Sequence, residues 1–215
     1  AAIETPENPH LLPSQIAALT AAQIVSLTTS QIAAFPEERI SALTTAQIKA
    51  LTAEQIVALT SEQIQQLSST QFRAFTTAQI GVLEPADFAS LSGSQIAGLT
   101  TSQLAAIPIE NFAAFSSNQI QSLTGEQIQH LSSSQFATFD NADLSALTSN
   151  QLSALTTGQI ATLSPERMTV FSTDQIQAFT TEQIYFMADD QLMAMTAEQI
   201  QALTPEQVKA RILVR

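Results

Sequence analysis

The sequence predicts an all-α fold: a solenoid, or superhelix, of very short capped helices, one per octapeptide, with about three octads per turn. Three observations carry this. Apolar residues keep an unbroken eight-residue register, a helix-start signal recurs at the same two places in most octads, and acidic residues are confined to the first half of each unit. Such strict repetition means that each unit meets its neighbours in the same way, as in solenoids.

In chain order, residues 1–11, which include Pro6 and Pro9, form a leader that caps one end. From Leu12 the chain divides without insertion or deletion into 25 octads ending at Arg211. Typical units are Thr44 to Leu51 (TTAQIKAL) and Thr52 to Leu59 (TAEQIVAL). Position 5 is apolar in all 25, position 4 is Gln in 20, and position 8 is Leu, Phe, Ile or Met in every octad except the last, where Arg211 stands. Residues 212–215 read as a tail or a truncation point. The chain opens on Ala1 rather than Met, so it is expected to be a fragment of a larger protein.

One continuous helix is excluded, because eight residues at about 100° each leave the apolar stripe drifting by about 80° per octad. The helix must restart each time. Thr or Ser at position 1 and Gln at position 4 form a capping box, in which the hydroxyl accepts from the N3 amide and the Gln reaches back to the N-cap amide. Pro13, Pro85, Pro165 and Pro205 all fall at position 2, the first helical position, where a missing N–H costs nothing. All acidic residues of the octads lie at positions 1 to 4, eleven of them at position 3. Lys49, Arg73 and Lys209 lie at position 6, toward the C-terminal end. That arrangement complements a helix dipole, although Arg39 and Arg167 at position 4 depart from it.

Helices of six or seven residues are too short to persist alone, so packing between octads must hold them. Irregular octads, with Pro, Glu, Asp or Ala in place of the Thr/Ser cap, begin at Leu12, Pro36, Glu84, Pro108, Asp140, Ser164, which keeps a normal hydroxyl, and Ala188, mostly 24 residues or its double apart. Phe88, Phe112 and Phe136 share the 24-residue spacing. Three octads per turn, or slightly more, is therefore expected, with two per turn as the rival. Positions 5 and 8 point inward, and small residues at position 7 such as Ala42, Ala50 and Ala58 let helices approach. Stacked at about 8 to 10 Å, the turns would make a rod roughly 65 to 85 Å long. Glu never occupies position 4, which suggests a structural amide ladder in which Gln103, Gln127 and Gln151, stacked three octads apart, exchange hydrogen bonds. A Gln-lined ligand groove is the alternative.

Composition narrows function. Only 12% of the chain is charged and 45% is hydrophobic, so Ser, Thr and Gln must solvate the surface. A net charge of −12 opposes nucleic acid as a partner. No apolar run is long enough for membrane insertion, and there is no cysteine for a disulfide or thiolate metal site. The two histidines, His10 and His130, are far apart, and Ser and Thr already serve as caps, so no nucleophilic triad is expected. Glu37 with Glu38, Asp189 with Asp190, and the run from Asp140 to Asp143 lack calcium-loop spacing, and the five glycines form no phosphate loop. No catalytic residue, metal or cofactor is expected.

Leu203 to Val208 (LTPEQV) resembles the opening of the repeat of bacterial transcription activator-like effectors. The likeness spans six residues, and the 34-residue period, base-reading loop and basic charge of that family are missing, so DNA reading is not carried over. The whole array resembles the T-x-x-Q-[IL]-x-x-L octapeptide arrays of large bacterial proteins, and that resemblance implies a secreted or cell-surface setting. The leading functional expectation is a non-catalytic spacer or stalk of a larger bacterial protein. The runner-up is a protein-binding scaffold whose contact patch comprises Tyr185, Phe186, Met187, Met193 and Met195, which exceed what the repeat requires.

Overall fold

The computed structural model describes residues 11–212, and among these every octad forms one short helix, from Pro13–Ala17 to Pro205–Ile212. No strand occurs among the described residues. One unit departs from α geometry: Pro165–Val170 is a 3-10 helix.

The octad Thr44 to Leu51 shows how the sequence starts and stops each helix. Thr44 is extended, its hydroxyl accepts from the Gln47 amide at 3.3 Å, and Gln47 Oε1 accepts from the Thr44 amide at 2.7 Å. Of the four N–H groups that open any helix without an intrahelical partner, the hydroxyl thus satisfies one, and the glutamine satisfies the amide of the cap residue itself. The helix ends at Leu51, which returns to extended backbone at φ −57° and ψ 136° and leads directly into the next cap. No positive φ is needed anywhere among the described residues, so the links require no glycine.

The chain divides into two compact units at Phe115 and Ser116. Within each unit helices pack on those three octads further along: Ala21–Val25 on Thr45–Ala50 in the first, Ser117–Gln121 on Asn141–Ala146 in the second. Side chains, in contrast, reach back four octads, as described below. Each turn therefore holds slightly more than three octads, and the two-octad hairpin arrangement does not occur among the described residues.

Position 5 forms the innermost layer, with Ile48, Ile56, Phe88 and Leu152 at 0% exposure. Position 8 forms a second layer that includes Leu51, Phe75 and Leu155. Aromatic units fill the same layers: Phe112 and Phe115 lie 4.9 Å apart, and Phe88 meets Phe115 of the following turn at 5.8 Å. Small side chains at position 7 permit the approach. A Cβ on Gly98 would stand 3.3 Å from Ser69 Cβ in the helix three octads earlier, and one on Gly125 would stand 3.3 Å from Ala154 Cβ in the helix three octads later. With burial of this kind at two positions in eight, packing supplies what the short helices lack in intrinsic stability.

Candidate functional site

Two groups of residues stand out from the repeat: the position-4 side chains and the apolar surface of the last four octads.

Position 4 is bonded at both ends. Gln47 Nε2 donates to the carbonyls of Ile16 at 2.8 Å and Leu19 at 2.7 Å, positions 5 and 8 of the octad four units earlier. Gln55, Gln63, Gln79 and Gln95 repeat this in the first unit, and Gln159, Gln175, Gln183 and Gln207 repeat it in the second. The same side chain thus opens one helix and closes another. The expected exchange between stacked glutamines is corrected at two of its three members. Gln103 Nε2 donates to the carbonyls of Arg73 and Phe75, and Gln151 Nε2 to those of Ile120 and Leu123. Backbone carbonyls at a helix C-terminus hold the buried amide: that of Leu123 accepts from no amide of its own helix, and that of Ile120, which accepts from the Leu123 amide, has a second lone pair to offer. Gln127 is buried and completes a capping box with Thr124. Both ends of the amide at Gln103 and Gln151 are consumed by the fold, which leaves no polar groove edge for a ligand there.

The C-terminal surface is only partly the patch expected. Tyr185, Phe186 and Met193 are exposed, at 37%, 59% and 79%, and the Tyr185 and Phe186 rings meet edge to face at 4.8 Å. Met187 and Met195 are core residues instead, at 2% and 7% exposure. They occupy position 8, where the repeat register overrides their unusual identity. Three residues that sequence reading assigned to the core lie open: Ile200 and Val208 are exposed and Leu192 is half-buried. All are position-5 residues, and in every earlier octad that position is buried. With Ile184, Met193 and Leu203 they line an open apolar cavity of about 440 Å³. Arg211, the one break in position 8, borders it, donating to the Tyr185 carbonyl at 2.8 Å and pairing with Asp189.

Titratable groups belong to helix starts. Glu54 and Glu198 are held below their ordinary pKa by their own backbone amides and then by the hydroxyls of Thr52 and Thr196. Glu166 is lowered likewise, by its backbone amide and then the Ser164 hydroxyl. His130 Nδ1 lies 2.8 Å from the Glu126 carbonyl of its own helix. No three His, Asp or Glu side chains converge among the described residues, and none of their helices is long and apolar enough to cross a membrane.

The fold and the site together define a repeat protein, an all-helical solenoid with one helix per octapeptide. Residues 40–69 and 80–117 match the family model of the ALTTAQ repeat, to which the chain is therefore similar over about a third of its length. The octad register runs unchanged outside those stretches. No curated protein matches the chain.

Proposed function

We propose that the chain is a non-catalytic structural module, a spacer or stalk segment of a larger bacterial protein. The observation that carries this reading is the use of both ends of position 4: the residues that recur most strictly are spent on joining octad to octad, and none is held in reserve for chemistry. Long solenoids also offer repeated surfaces, and the exposure of Tyr185, Phe186 and Met193 supports a second reading, a protein-binding scaffold.

Two changes to the parent protein separate these readings. One deletes the three octads of residues 44–67, and the other replaces Tyr185 and Met193 by Ser. A spacer loses its cellular phenotype on shortening and tolerates the patch variant, whereas a scaffold using that patch does the reverse. Melting curves keep the second arm interpretable. Met193→Ser should leave the melting temperature unchanged, while Met187→Ala, in the core, should cost about 3 kcal/mol.

A further inference from the structure

From Leu19 to Leu83, every position-8 carbonyl but one accepts from a side chain 28 residues further on. The exception is Leu59. The residue 28 positions beyond it is Asp87, whose carboxylate has no hydrogen to give, and no described group donates to the Leu59 carbonyl. The Ile56 carbonyl accepts from the Leu59 amide at 3.1 Å but takes no side-chain donor, whereas its counterparts at Ile48 and Ile64 also take a glutamine amide. The register that carries Gln79 and Gln95 to such carbonyls brings Asp87 toward Ile56 and Leu59. Where a donor belongs, only oxygen acceptors meet.

Asp87 is also buried, at 7% exposure. Its Oδ2 accepts from the Glu84 amide at 2.9 Å and its Oδ1 from the Ser61 hydroxyl at 2.8 Å. Both donors are neutral, and no Lys, Arg or His among the described residues pairs with it. A carboxylate shut away from water without a compensating positive charge is costly. A bridging water would satisfy the oxygens but bring no charge.

We propose that a calcium ion joins Asp87 to the carbonyls of Ile56 and Leu59, with Ser61 Oγ as a fourth protein oxygen. The donor set is one carboxylate, two carbonyls and a hydroxyl, all hard oxygens, which suits calcium and not the metals that favour nitrogen or sulfur. Magnesium gives up its water reluctantly and fits a buried site of this kind poorly. A single carboxylate sets a weak affinity, on the order of millimolar. All four residues lie in the first unit, and the ion does there what the glutamine amide does in a regular octad: it ties position 4 to the helix end four octads back. The inference is independent of whether the chain serves as a spacer or a scaffold.

Thermal melts against calcium chloride at constant ionic strength test this. Asp143 pairs with Ser117 as Asp87 does with Ser61, so Asp143→Gln is the background in which one site is read. Calcium at ten times its Kd should raise the melting temperature of that protein by about 3 to 6 °C, saturably, and magnesium far less. Adding Asp87→Gln should abolish the response while leaving the calcium-free protein at least as stable, because an amide again reaches both carbonyls. In the wild-type chain the carbonyl carbon-13 resonances of Leu59 and Ile56 should move along one saturation curve with calcium. A thermal response equal in the two variants, or equal for magnesium and calcium, is that of ions screening the net charge of −12 and overturns the proposal. So does a Leu59 resonance that ignores calcium, which would leave a water or a proton between the carboxylate and the carbonyl. That second readout stands even if the double variant fails to fold.

Discussion

Octads with Gln at position 4 and octads without it solve the same problem by different means. In the regular octads Gln55 accepts from the Thr52 amide at 3.0 Å and donates to the carbonyls of Ile24 and Leu27, both at 2.8 Å. In two irregular octads position 1 is proline, which has no N–H to satisfy. There Arg39 and Asn111 need only donate, and they do, to the carbonyls of Leu11 at 2.8 Å and Leu83 at 2.7 Å, each 28 residues back. Leu11, on the leader side of the first octad, thus serves as a position 8. Two others carry aspartate, which accepts but cannot donate. Asp87 takes the Glu84 amide at 2.9 Å and then a hydroxyl from Ser61, at position 2 three octads earlier; Asp143 does the same with Asp140 and Ser117. Arg167 donates to the Phe139 carbonyl but leaves the Ser164 amide without a side-chain acceptor, and that octad is the one wound as a 3-10 helix. Position 4 therefore has two duties: beside Pro36 and Pro108 only the donating one is kept, at Asp87 and Asp143 only the accepting one is kept and a serine hydroxyl bonds the carboxylate, and at Arg167 the cap amide goes unserved.

The largest expected effect comes from removing the donor in a regular octad. Gln151→Glu keeps the cap acceptor but aims carboxylate oxygens at the carbonyls of Ile120 and Leu123, at a cost of about 3 kcal/mol at neutral pH. Burial against carbonyls should raise its folded pKa above the unfolded value of about 4.3, so the deficit against wild type opens as pH rises through that value and shrinks below it. Urea titrations at pH 4 and pH 7 measure this, and equal stability at pH 7 would show that the donor is dispensable.

Next is the aspartate solution. Ser61→Ala should cost about 1.5 kcal/mol in the wild type, because it strips the hydroxyl from a buried carboxylate, and almost nothing beside Asp87→Gln, where an amide again reaches back four octads. A double-mutant cycle with no coupling would break the claimed compensation. Smaller still, Pro36→Ala introduces an N–H that Arg39 cannot accept, for about 1 kcal/mol including the freer unfolded chain, and Arg39→Gln in that background should recover part of it.

The smallest effect is electrostatic. Glu54 and its own helix start lower the carboxyl pKa from 4.5, so the stabilisation is present above that value and is lost as pH falls through the folded pKa. Glu54→Gln should lower the melting temperature slightly at pH 7 and not at all once Glu54 is protonated, as a series of melts against pH would show.

Much of this was legible in the residues. Thr44, Gln47 and Ile48 announce cap, box and core because capping is local: donor and acceptor lie three residues apart and need no knowledge of the rest of the chain. The same holds for Met187 and Met195, whose register at position 8 predicts burial once it is given more weight than their unusual side chains. The openness of Ile200 was not legible, since its octad is indistinguishable in pattern from those of Ile48 and Ile56, and that of Val208 departs from the pattern only at Arg211.

By itself, then, the sequence determined where each helix begins and ends and which two positions in eight face inward, and it favoured three octads per turn, or slightly more, over two. Those follow from hydrogen bonds within a few residues and from the period of the apolar pattern. Only the tertiary structure decided where the far end of each glutamine goes. An amide that has satisfied its own cap still has donors to place, and whether they meet another amide or the carbonyls of Ile120 and Leu123 depends on how the turns are offset, a quantity carried by no single octad.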